Sequence, residues 1–127
     1  MTMSLREVAE ALEAEALSFP GAWPDHPWGD SVVKVGKKVF VFFGAPDEGS
    51  FGLSVKLPES ADEALTLPGA EPTGYGLGKA GWVTLRYQEG DDVPVDLLRD
   101  WIDESYRAVA TKTLIKQLDA QRAEESG

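Results

Sequence analysis

Leu5, Val8, Ala9, Leu12 and Ala16 recur at helical spacing between Ser4 and the Phe19-Pro20-Gly21 break, which predicts an amphipathic first helix. Ser4 is placed to cap it, with Glu7 completing a capping box. The period then becomes two. Val32 to Val35 and Val39 to Phe43 flank Gly36-Lys37, a pair suited to a tight type II′ hairpin turn because glycine accepts positive φ. Phe51, Leu53, Val55 and Leu57 alternate with Gly52, Ser54 and Lys56, and Val83, Leu85 and Tyr87 alternate with Trp82, Thr84 and Arg86, so each run predicts a strand with one covered face.

The stretch from Pro58 to Leu65 begins with proline and early acids, as a short helix does, and stops before Pro68-Gly69. Residues 69 to 81 hold five glycines among thirteen positions and read as an ordered loop with at most one short strand near Thr73 to Tyr75. Leu98, Trp101, Ile102, Ser105 and Val109 restore the helical period after Pro94 and continue into a polar, frayed end. On this apolar face Trp101 is expected in the core, and the adjacent Tyr106 carries a hydroxyl that could reach solvent. The order is helix, three strands, helix, one or two strands, helix: an α+β antiparallel sheet with helices on one face, and the other face left to solvent or a partner. A single domain is expected over residues 1–118, followed by a polar tail over 119–127.

The chain has 127 residues, 43% hydrophobic and 27% charged, enough for one core without staples. It contains no cysteine and one histidine, which removes disulfides, thiolate chemistry and cysteine-based zinc sites. The formal net charge is −10, which opposes non-specific attraction to nucleic acid or anionic membranes over the molecule as a whole. That charge is uneven: residues 31 to 87 carry six bases and six acids, while both flanking segments are acidic. With no long apolar run and no signal-peptide pattern, a cytoplasmic protein that does not enter membranes is expected.

Taken together, His26-Pro27-Trp28-Gly29, the hairpin from Lys34 to Phe40, Leu53-Ser54-Val55-Lys56, Gly74-Tyr75 through Lys79, Gly81-Trp82-Val83 and Ser105-Tyr106 resemble the MmcQ/YjbR family over roughly residues 5 to 115. The resemblance implies a CyaY-like fold of order α-β(3)-α-β(2)-α and a DNA-binding role. It implies no enzymatic activity; no cofactor is expected from the residues. The segment from Gly76 to Gly81 departs from the more polar, His- and Asn-containing stretch usual in the family.

His26 is the one side chain that ordinarily titrates near neutrality, and Asp25 and Asp30 are close in sequence, as a metal site or acid/base pair would require. Pro24 and Pro27 bracket it and Trp28 follows, which favours a rigid structural corner. No nucleotide-binding glycine loop or nucleophile motif is present. The CyaY-like fold is shared with frataxins, whose first helix presents carboxylates to iron. Here Glu15 lies on the opposite flank of the apolar stripe from Glu10 and Glu13, so with Glu7 the four do not converge.

Nucleic-acid contacts would fall to Lys34, Lys37 and Lys38 at the hairpin and to Lys56 and Arg86 on the open sheet face, with Trp82 as a stacking platform. The same lysines equally serve to keep an antiparallel sheet soluble and unpaired at its edges. Tyr75, Lys79 and Trp82 beside the glycine-rich loop form an alternative ledge for a small ligand or a protein partner, or else anchor that loop to the core. The residues leave monomer and homodimer both open.

Overall fold

The computed structural model describes residues 4–25, 31–43, 50–74 and 80–126. Helix α1 spans Leu5–Leu17; its capping box is formed, with Ser4 Oγ accepting from the Glu7 amide and the Glu7 carboxylate accepting from the Ser4 amide. Strands β1 (Ala22–Asp25), β2 (Ser31–Val35), β3 (Lys38–Phe43) and β4 (Ser50–Lys56) follow, then the short helix α2 (Ala61–Ala64), strands β5 (Ala70–Pro72) and β6 (Trp82–Gln88), and helices α3 (Val95–Val109) and α4 (Lys112–Ser126). The six strands form one antiparallel sheet in the order β1-β2-β3-β4-β6-β5.

The register confirms the period-two reading. Val41 and Val55 pair, as do Val55 and Val83, Leu53 and Leu85, and Phe51 and Tyr87, and all are buried with Leu12 of α1 and Leu98, Trp101 and Ile102 of α3. The opposite face carries the alternate positions, where Lys56 pairs with Trp82, Ser54 with Thr84 and Gly52 with Arg86. The fold is thus the expected α+β arrangement, with the helical core on one side of the sheet.

Four local expectations need correction. A fourth strand, β1, precedes the expected three, so the order is α-β(4)-α-β(2) before the final helices. The short strand of the glycine-rich region is Ala70–Pro72, ahead of the expected Thr73 to Tyr75. Both missed strands lie at sheet edges and contain a proline, Pro24 and Pro72, a residue tolerated where one side of the strand has no ladder to donate to.

The last helix is two. Ala110 is extended, and the Thr111 hydroxyl accepts from the Leu114 amide to start α4, so residues 119–126 are helical and not a frayed tail. Tyr106 is fully buried, and its hydroxyl donates to the Pro20 carbonyl at 2.7 Å instead of reaching solvent. Among the described residues, no helix is long and apolar enough to cross a membrane.

Candidate nucleic-acid interface

The β2–β3 hairpin closes through Gly36-Lys37 between the paired residues Val35 and Lys38. Gly36 has φ 63°, the positive value that the first central position of such a turn demands and that a side chain would strain. The turn carries Lys37 and Lys38 to the tip, where both are exposed. Among the described residues neither forms an ion pair.

Lys34 is differently placed. Its Nζ lies 2.7 Å from an Asp25 carboxylate oxygen on the neighbouring strand and 5.3 Å from the centre of the Trp23 ring. Trp23 pairs with Lys34 across β1–β2, its indole N–H donates to the Gly36 carbonyl at 3.0 Å, and the residue is 40% exposed. The indole is therefore fixed against the hairpin turn with much of its surface still in water. Cation–π attraction from Lys34 and the hydrogen bond to Gly36 hold that position together. Sequence reasoning missed Trp23, because Pro20, Gly21 and Pro24 around it read as loop punctuation.

The remaining expected contacts are spread out. Trp82 is only 8% exposed, and its ring packs edge-on to Phe42, 5.3 Å between centroids, on the face opposite the helices. Val32, paired with Phe42, is buried as well. A small apolar cluster thus covers part of the sheet face expected to be open, and Trp82 offers a base little ring surface. Lys56 is half-buried beside it.

Arg86 pairs with Gly52, toward the other end of β4, and its guanidinium lies 3.3 Å from Glu71 in an exposed ion pair. Between these positions runs a row of hydroxyls, Ser54 to Thr84 at 2.7 Å and Thr84 to Thr73 at 3.0 Å. Tyr75, Lys79, His26 and Asp30 lie outside the described residues.

The structure therefore brings together Trp23, Lys34, Lys37 and Lys38 at one end of the β1–β2–β3 edge, and leaves Arg86 apart. A family model described as YjbR matches residues 17–108. The chain belongs to the YjbR family. The YjbR span runs from the end of α1 into α3 and takes in the whole sheet, including Trp23 and every lysine of the hairpin tip, whereas α4 lies beyond it. No curated protein matches the chain.

Proposed function

We propose that this YjbR-family chain is a non-enzymatic DNA-binding protein that uses the tip of the β2–β3 hairpin together with Trp23. The observation that carries the reading is the half-exposed indole of Trp23, tied to the Gly36 carbonyl beside two exposed lysines, Lys37 and Lys38. Cations that meet phosphates must be accessible, and an aromatic that stacks on a base must be both rigid and exposed. The tip satisfies both demands more fully than Trp82, Lys56 or Arg86. Its small size and the net charge of −10 favour weak binding that depends steeply on salt, with single-stranded DNA preferred because only an unstacked base can reach the indole.

The test is an anisotropy titration of fluorescent single- and double-stranded DNA at low and physiological ionic strength. Lys37→Ala combined with Lys38→Ala is expected to lower the salt slope by roughly 1–2, as two lost phosphate contacts require. Trp23→Ala is expected to weaken single-strand binding about tenfold, the equivalent of one stacked base. Unchanged binding in both variants, or no binding of either DNA at low salt, rejects the proposal.

A further inference from the structure

The connection from α2 to β5 and the connection from β6 to α3, with the end of β6, line a half-open pocket of about 440 Å³. This is within the range that small-molecule sites occupy. Leu67, Pro68 and Pro94 give it apolar walls, and Asp91 and Asp92 give it two carboxylates. Its wall is set by an unusually close backbone approach: Gly69, at φ 81°, accepts from the Arg86 amide at 3.0 Å, and a Cβ there would stand 2.3 Å from the Arg86 carbonyl oxygen.

Tyr87 lines the same cavity. It is 6% exposed, yet its hydroxyl has no hydrogen-bond partner, the one buried side-chain polar atom of which this is true among the described residues. A buried hydroxyl without a partner forfeits its hydration for nothing in return, so such groups are rare unless something else completes them. Burial and the nearby Asp91 carboxylate both push the Tyr87 pKa up from its ordinary value, which keeps the group a neutral O–H donor. Asp91 is itself held in place, one carboxylate oxygen accepting from the Gln88 amide at 2.7 Å. The cation lining the cavity, Arg86, has its guanidinium beside Glu71.

We propose that this cavity binds a small organic cation. Its ammonium would lie at the Asp91 and Asp92 carboxylates, a neighbouring oxygen would accept from the Tyr87 hydroxyl, and its apolar body would rest on Leu67, Pro68 and Pro94. The two carboxylates disfavour an anion, and the apolar walls disfavour a bare metal ion, which needs oxygen ligands on most sides.

The probe is 2-amino-1-phenylethanol, which carries an ammonium, an adjacent hydroxyl and a phenyl ring, titrated into ¹⁵N-labelled full-length protein. Shifts are expected at residues 67–69 and 86–94, with a Kd on the order of 1 mM for a ligand of about ten heavy atoms. The neutral analogue 1-phenylethanol is expected to bind at least about tenfold more weakly to the same wild-type protein. Tyr87→Phe is expected to weaken the amine about fivefold, and Asp91→Asn with Asp92→Asn to weaken it more than about tenfold.

The proposal is overturned if the amine gives no localised shifts up to roughly 10 mM, if the shifts map elsewhere, or if the neutral analogue binds equally well. These outcomes are read on the wild-type chain and stand even where a variant fails to fold. Binding to DNA is a separate property of a separate surface, so either proposal can fail alone.

Discussion

Ser105 and Phe40, one on α3 and the other on β3, are joined by a hydrogen bond from the serine hydroxyl to the phenylalanine carbonyl in the middle of the core. The same hydroxyl accepts from the Lys56 amide of β4 at 2.8 Å. Phe40 is the residue bulged out of the β2–β3 ladder, where the register shifts between Val33 and Lys34, and the β3–β4 pairing begins only at Val41 and Val55. One side chain thus satisfies two backbone groups that the sheet itself leaves open, and ties α3 to the two central strands.

Ser105→Ala is accordingly expected to cost about 2–3 kcal/mol, since both a buried donor and a buried acceptor lose their partner. Urea unfolding should show a lower midpoint with an unchanged slope. A loss below about 0.5 kcal/mol would mean that Phe40 and Lys56 pair directly once the serine is gone.

Gly69→Ala tests a second close approach. The positive φ and the clash with the Arg86 carbonyl leave no room for a methyl group, and the obstructing atom is backbone, which cannot rotate aside. The expected loss is about 3 kcal/mol, with the amides of β5 exchanging faster while those of β3 and β4 keep their protection.

Much of this architecture is legible in the chain and some is not, for identifiable reasons. Phe51, Leu53 and Val55 alternate cleanly because β4 is central and covered on one face only, so burial writes the period into the sequence. Edge strands lack that pressure: β1 and β5 are short, carry prolines and show no alternation that a periodic search would register. The hairpin lysines are readable because Gly36 announces the turn. Trp23 is not, because what fixes it is a hydrogen bond to the Gly36 carbonyl in the β2–β3 turn, distant in sequence. Trp82 fails in the opposite sense, since alternation places it on the outer face but cannot say that Phe42 covers it.

The break between α3 and α4 predicts a detachable last helix. Asp103 on α3 accepts from Arg107 Nε at 2.5 Å and from Arg122 of α4, while Arg107 Nη2 donates to Asp119 of α4 at 2.7 Å. Arg122 also sits 5.7 Å from the Phe19 ring centre, and Leu118 is the one α4 residue in the buried core among those described. The Arg107 hydrogen bond holds the Asp119 carboxyl below its ordinary pKa, so that carboxylate's contribution is present above the ordinary aspartate range and fades as pH falls through it. Asp103→Ala is expected to cost about 1–2 kcal/mol at low salt, less in high salt, and to speed amide exchange over residues 112–126 without touching the sheet. Equal acceleration in β3 and β4 would show that α4 unfolds only with the whole domain.

Two buried tyrosines among the described residues set a limit at high pH. Burial raises the pKa of Tyr106 above the ordinary 10.0, with Arg107 acting weakly against it, and burial aided by Asp91 raises Tyr87 in the same direction. Below pH 10 both are protonated whether the chain is folded or not, and their preference for the neutral form contributes its full stabilisation. Above it the unfolded chain loses these protons first, so the unfolded state binds fewer protons and stability falls until pH passes the folded values, by up to about 1.4 kcal/mol per pH unit for each group. Urea midpoints measured from pH 8 to about 11 should therefore hold level and then drop. The decisive comparison is with Tyr106→Phe and Tyr87→Phe. Each should flatten the alkaline decline. At neutral pH Tyr106→Phe costs about 1–2 kcal/mol through the orphaned Pro20 carbonyl, whereas Tyr87→Phe costs nothing, since its hydroxyl has no partner to lose. An alkaline decline of the same steepness in both variants and in the parent chain would show that neither tyrosine causes it.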